Sequence, residues 1–285
     1  MSSRRILITG AQGMLGRTLV RQWSGHHTVI ATDRTDLDIT NARACFSAIA
    51  SVQPEIVVHC AAFTDVDRCE SEFEAAYRLN AIGTANVAIA CHRNGSRLIA
   101  LSTDYVFRGD GPRPYHEWDQ PDPRTVYGAS KLAGEIAVRH HCPDHLIARI
   151  AWLYGPGGPS FVHTMLRLAT QMGEPLRVVG DQIGNPTSTD AVAAGLANLI
   201  ETGIAGTVHL TCAGEASWYD FAKEIMRLRQ FSRQITQCTT AEYPRPAPRP
   251  ANSRLDKLTL RLHNLPPMPA WQDALAAYLR ENPDV

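Results

Sequence analysis

The sequence predicts an α/β fold: a doubly wound, Rossmann-like parallel sheet followed by a smaller, less regular C-terminal part. Three observations predict it. Short, near-continuous apolar runs alternate with helix-forming stretches through the first half. Such runs are the pattern of strands buried on both faces, and right-handed crossovers between them wind helices over both sides. The first run ends in glycines that open onto a helical stretch, as dinucleotide-binding sheets begin. The alternation then fades beyond about residue 152.

The elements follow in order. Arg5 to Thr9 is a short apolar run ending at Gly10, and Met14 to Trp23 has helical spacing. His27 to Thr32 and Glu55 to Cys60 read as the second and third strands. Phe73 to His92 reads as one long helix, and Arg97 to Ser102 as the fourth strand. Thr125 to His141 is rich in helix formers, and His145 to Ala151 is the fifth strand. In the second half Phe161–Thr170, Ala191–Ile200, Trp218–Arg229 and Trp271–Leu279 read as helices, the second capped by Ser188-Thr189-Asp190. Between 244 and 250 every second residue is proline, a composition that reads as an extended linker.

Bulk properties narrow the function. A chain of 285 residues, 44% apolar, can bury a substantial core. Lys+Arg and Asp+Glu are both 28, so no charge excess favours nucleic acid or a membrane surface. The opening MSSRRILITG is too short for a secretory signal, and nothing reaches the ~18 apolar residues of a membrane span. A cytoplasmic protein is expected. The seven cysteines are scattered without a C-x-x-C pair, and the two His-His pairs are adjacent residues that diverge in direction, so no metal site is expected. Cys60 reads as a small buried hydrophobe.

Gly10-Ala11-Gln12-Gly13-Met14-Leu15-Gly16 has the pattern G-x-x-G-x-x-G between a strand and a helix. The first glycine permits the turn, the second lets backbone approach a pyrophosphate, and the third lets helix pack on strand. The helix N-terminus then faces the phosphate charge. Gln12, Met14 and Leu15 fall inside this loop. Asp33 ends the second strand, where a carboxylate accepts hydrogen bonds from the adenosine ribose. Arg34 beside it suits a 2′-phosphate, so both NADH and NADPH are expected to serve. Asp38, on the adenine side, and Ile39 complete that end of the site.

Tyr127 and Lys131 form Y-x-x-x-K at the start of a helical stretch. Residues four apart share a helical face, so phenol and ammonium can address one site, and a nearby cation lowers a phenol's pKa. Ser102-Thr103-Asp104 ends the fourth strand, on the carboxyl edge where such sheets bind ligands. A hydroxyl there can polarise a carbonyl while Tyr127 protonates it.

The order of these motifs resembles that of the extended short-chain dehydrogenases. Longer stretches resemble the dTDP-4-dehydrorhamnose reductases: Ala61-Ala62-Phe63-Thr64-Asp65-Val66-Asp67 with Glu70, and Ser102-Thr103-Asp104-Tyr105-Val106-Phe107. So do Tyr127 through Glu135, Arg149 through Gly155, Asp181 through Thr187, Gly214 through Ala222 and Ala247 through Leu255. The resemblance covers nearly the whole chain. It implies reduction of the C4 ketone of dTDP-4-dehydro-L-rhamnose to dTDP-L-rhamnose, with NADPH or NADH. It further implies Thr103, Tyr127 and Lys131 as catalytic, and Thr103, Asp104 and Trp152 at the sugar. Ala61, Ala62 and Thr64 would line the cofactor alongside Tyr127 and Lys131, and Asn80 would support the lysine. The implied division is residues 1–152 plus about 183–205 as the dinucleotide-binding domain, and about 153–182 plus 206–285 as the substrate-binding domain. The proline stretch becomes a substrate-domain loop, and a homodimer is implied. Two positions depart from the pattern: His59, where asparagine is common, and Leu15, where some members carry a glutamate tied to metal-linked dimerisation.

Other readings differ in chemistry. A sister reductase of another nucleotide-linked 4-keto-6-deoxy sugar would share these motifs. A dehydratase or epimerase would need an acid/base pair beside Ser102-Thr103-Asp104 that is not evident. A catalytically silent regulatory subunit would have no need of both Tyr127 and Lys131.

Overall fold

The structure is a computed structural model, and it describes residues 3–171 and 173–283. Its first half holds β1 (Arg5–Thr9), α1 (Met14–Trp23), β2 (Thr28–Thr32), α2 (Ala42–Val52), β3 (Ile56–His59), α3 (Val66–Ser71) and α4 (Phe73–Tyr77). A π-helical turn, Arg78–Gly83, leads into α5 (Thr84–Asn94), then β4 (Arg97–Thr103), α6 (Val126–His141) and β5 (His145–Ile150). Beyond it come β6 (Leu153–Tyr154), α7 (Phe161–Ala169), β7 (Leu176–Val179), β8 (Ile183–Gly184), β9 (Thr187–Ser188) and α8 (Thr189–Thr202). The chain ends with β10 (Gly206–His209), β11 (Ala216–Ser217), α9 (Trp218–Leu228), β12 (Ile235–Cys238), α10 (Leu258–Leu262) and α11 (Trp271–Glu281).

Six parallel strands form the main sheet in the order β10-β5-β4-β3-β1-β2. The winding direction therefore reverses between β1 and β3, which opens a crevice at their carboxyl ends. Strand periodicity explains the two cores. Ile6, Ile8, Val58, Ile99 and Leu146 face α1 and α8, and that cluster continues through Phe221, Trp271 and Leu275 of the C-terminal helices. Leu7, Val57, Leu98 and Ile147 face the other way, onto Ile49 of α2, Val87 of α5 and Val138 of α6.

Several expectations change. The long helix expected over 73–92 is broken by the π-helical turn. A second helix, α2, was not read from the sequence. Nor was β10, which pairs with β5 at the edge of the main sheet. β10 thus lies in the main sheet, although the sequence places it in the 206–285 segment of the substrate-binding part. The proline stretch is not a free linker. Ala247 is buried with its amide on Asp67, and a side chain at Gly109 would collide with Pro250. Among the described residues no helix is long and apolar enough to cross a membrane.

Candidate active site

A cleft of about 1410 Å³ runs along the carboxyl edge from the end of β2 to the end of β5. Gly10, at φ 67°, makes the turn out of β1. A Cβ there would stand 2.6 Å from the Ala61 amide nitrogen, so the loops after β1 and β3 touch only because it has none. Gly16 lets α1 close onto the loop, since a Cβ would lie 2.7 Å from the Ala11 Cα. Gly13, Met14, Leu15, Ala61, Ala62 and Thr64 line the same stretch. Gln12 does not line the cleft. Its amide donates to Asp33 Oδ2 at 2.9 Å, and the Arg34 amide donates to Asp33 Oδ1 at 2.7 Å, so Asp33 braces the loop. Asp33, Arg34, Asp38 and Ile39 line the far end. Asp38 is turned partly inward on its own segment, accepting from the Thr40 amide and hydroxyl. This groove, lined by the glycine turn beside an acidic strand end, fits a dinucleotide.

The reactive groups gather at the other end. β4 continues past Ala100, the partner of His59, to Thr103, which pairs with Ile150. Thr103 caps a short turn over Asp104–Val106. Its Oγ1 accepts from the Tyr105 amide at 3.2 Å and donates to Asp104 Oδ1 at 3.0 Å. Tyr127 and Lys131 lie on the first turns of α6, whose start is capped by Thr125, with the Gly128 amide donating to its hydroxyl at 3.0 Å. Glu70 adds a second cap by accepting from the Val126 amide at 2.9 Å.

The electrostatics differ in one respect from expectation. Burial pushes the Tyr127 phenol up, opposed by its hydrogen bond with Thr103. The Lys131 ammonium instead donates to the Leu101 carbonyl at 2.8 Å. Burial lowers that ammonium to about 8, against the pull of Glu135. The phenol is thus protonated at neutral pH, as an acid must be. Burial also raises the Asp104 carboxyl to about 6, opposed by the neighbouring Ser253 and Thr103 hydroxyls.

Asn80 sits wholly buried in the π-helical turn. Its side chain accepts from the Phe63 amide at 2.7 Å and donates to the Phe63 carbonyl and Ser130 Oγ, both at 3.0 Å. Its link to Lys131 is therefore indirect, through the helix turn that carries the lysine. His59 bridges Thr9 Oγ1 at 2.7 Å and Thr84 Oγ1 at 3.1 Å, and burial holds its imidazole neutral at about 3. Where asparagine was expected, a neutral histidine ties β1 to α5. Cys60 borders the cleft, but burial pushes its thiol up to about 12, which leaves it unreactive. One turn further along α6, buried Glu135 accepts from Ser102 Oγ at 2.6 Å and from Arg149 at 2.7 and 2.8 Å. Burial pushes that carboxyl up, but Arg149 outweighs it and holds it below its ordinary value.

Trp152 enters from just beyond β5 and lines the cleft with Thr103, Asp104 and Tyr105. Tyr105 was not singled out from the sequence as a site residue. It meets Tyr127 edge-on, ring centroids 5.5 Å apart. Between the cleft-lining Val66 and Arg68, Asp67 pins the proline stretch, accepting from the Ala247 amide at 3.1 Å and from Arg249 at 2.8 Å. No cluster of three or more His, Cys, Asp or Glu suited to a metal occurs among the described residues.

Residues 4–283 match the family described as the RmlD substrate binding domain. The chain is 44% identical to a dTDP-4-dehydrorhamnose reductase of Streptomyces griseus, covering 95% of this chain and 91% of that protein. It is 42% identical to the spore coat polysaccharide biosynthesis protein SpsK of Bacillus subtilis, over 97% of each. Its structure is similar to that of dTDP-4-dehydrorhamnose reductase from Bacillus anthracis in complex with NADP, at a TM-score of 0.96 and 39% identity, covering 98% of this chain and 99% of that one.

Proposed function

The chain belongs to the RmlD substrate binding domain family, that of the dTDP-4-dehydrorhamnose reductases, and from that premise we propose that it reduces the C4 ketone of dTDP-4-dehydro-L-rhamnose to dTDP-L-rhamnose with NADPH or NADH. One observation carries the reading: Thr103, Tyr127 and Lys131 meet at one end of a cleft whose other end is the glycine loop.

Gly10, Gly13 and Gly16, with the amides at the start of α1, would hold the pyrophosphate, and Asp33, Arg34 and Asp38 the adenosine end. When bound, the reduced nicotinamide supplies a hydride to the sugar C4. The C4 carbonyl π pair then moves onto oxygen and takes the Tyr127 phenolic proton, which solvent later restores. Thr103 donates a hydrogen bond to that oxygen, turning its hydroxyl from Asp104. The phenol's raised pKa makes the resulting phenolate costly, and the buried Lys131 cation one turn further along α6 offsets part of that cost. Asp104, which lines the cleft, accepts from a sugar hydroxyl, and Trp152 covers one face of the sugar ring. The reading includes a cytoplasmic homodimer. Ile82 and Ile136, exposed on packed neighbouring elements, support a second copy there, and sedimentation of the full-length protein checks it.

The test is to incubate the protein and NADPH with a panel of dTDP-4-keto sugars and identify products by mass and sugar analysis. dTDP-L-rhamnose is expected as the fastest-formed product. Preference for another 4-keto-6-deoxy sugar would reassign the substrate within the class, and turnover of none would remove the reading.

A further inference from the structure

Trp152 has φ 48°, the left-handed region, where a bulky side chain rarely sits without support from its surroundings. Part of the support is a backbone bond, the Thr187 amide donating to the Trp152 carbonyl at 3.1 Å. The rest is aromatic. The Trp152 ring lies flat on the Trp218 ring, centroids 3.5 Å apart and planes 6° from parallel. Indole quadrupoles prefer an offset or edge-on approach, so fixtures around the pair impose this one.

Several contacts supply those fixtures. Trp218 opens α9, held by a capping box between Ser217 and Asp220. Ser217 and Ala216 pair with Ile183 and Gly184 of β8. The Trp218 indole donates to Gln182 Oε1 at 3.1 Å, and Gln182 donates in turn to Thr240 Oγ1 at 2.9 Å. Phe161 packs on Trp218 at 4.6 Å between centroids. Gly184 leaves room for the Trp152 ring, since a Cβ there would stand 2.7 Å from Trp152 Nε1. Trp152 lines the cleft and Trp218 does not.

We propose that Trp218, seated on Gln182 and opposed by Gly184, is a positioning residue that fixes the tilt of the Trp152 wall and thereby sets affinity for the sugar ring. The proposal rests on the sugar-nucleotide reading above. Trp218 touches no substrate. It acts by denying Trp152 other rotamers, so that the flat C–H face of a deoxysugar meets a preorganised surface.

The test uses full-length protein with Trp218→Ala, Trp218→Phe and Gly184→Ala. Stacked indoles give an exciton couplet in circular dichroism, which should be present in the wild type and absent from Trp218→Ala. KM for the sugar nucleotide should rise about tenfold in Trp218→Ala, the scale of one aromatic pair, with KM for NADPH within about twofold. Trp218→Phe should restore the sugar KM to within about threefold while lacking the couplet. Gly184→Ala, which keeps Trp218, should also raise the sugar KM by displacing the Trp152 ring. An unchanged sugar KM in Gly184→Ala overturns the proposal even where Trp218→Ala fails to fold. Sugar and NADPH KM rising together, unrelieved by phenylalanine, also overturns it by making Trp218 an ordinary core residue. A wild type with its couplet intact but no turnover of any dTDP-4-keto sugar instead faults the substrate reading, and the positional claim falls with it.

Discussion

The two ends of the cleft are held by different means. At the glycine end the surface is backbone, and each part is fixed by a neighbour close in sequence or on the adjoining strand. Asp33 takes the Gln12 and Arg34 amides, and Gly10 lets the Ala61 amide approach. At the sugar end the surface is side chains, some of them held by partners far along the chain. Trp152 depends on Trp218, and Asp67 holds Arg249 across 182 positions. Backbone walls resist substitution of most side chains but not of a glycine. Side-chain walls can be detuned from a distance, so the sugar end is where substrate choice can change without disturbing the cofactor.

Tyr127→Phe should break the chemistry common to both ends. Turnover should fall by ~10²–10⁴, the usual worth of a general acid, with NADPH affinity kept. Near-wild-type kcat would remove Tyr127 as donor.

Gly10→Ala attacks the backbone wall. The added methyl meets the Ala61 backbone at an unfavourable φ, and overpacking costs ~1–3 kcal/mol, a ~5- to 150-fold loss of NADPH affinity. KM for the sugar at saturating NADPH should move much less. A larger change in sugar KM than in cofactor affinity would contradict the division.

Cofactor choice sharpens the comparison at the glycine end. NADH and NADPH should differ by less than ~100-fold in kcat/KM, under ~2.7 kcal/mol. Asp33→Ala should move the ratio toward NADPH and Arg34→Ala toward NADH. Because Asp33 also braces the loop, its loss should weaken both cofactors. A ratio unmoved by either change would show that neither residue reads the ribose.

Asp67→Ala should give the smallest effect and only at the sugar end. The partly exposed pair with Arg249 is worth ~1 kcal/mol or less, so the sugar KM should rise by up to ~5-fold. The NADPH KM should not follow it.

How much of this was legible in the sequence follows the same division. β1, the glycine loop and Asp33 are written in consecutive residues, and the Y-x-x-x-K helix and the strand-end Thr103 carry local patterns. Long-range dependence is not written locally. β10 is four residues, Gly-Thr-Val-His, and becomes a strand only because β5 offers its edge. The π-helical turn over Arg78–Gly83 carries no local pattern that marks it off from an α-helix. It arises where buried Asn80 must reach both Phe63 and Ser130. The proline stretch looked like a linker because composition does not reveal that Asp67 and Gly109 wait for it. Trp218 gave no sign beyond its place in a resembling motif, since its partner lies 66 residues earlier. The upward shift of Tyr127 was missed for a related reason: proximity to Lys131 along a helix is visible in sequence, but the depth of burial is not.

The most direct test of the central claim follows the transferred atom. NADPH carrying deuterium at the nicotinamide C4 on the transferred face is incubated with dTDP-4-dehydro-L-rhamnose and the protein, and the product is read by mass spectrometry and NMR. The account predicts dTDP-L-rhamnose with deuterium at the sugar C4 and an equal amount of NADPH oxidised. Product without deuterium at C4, or sugar consumed without NADPH oxidation, would contradict it.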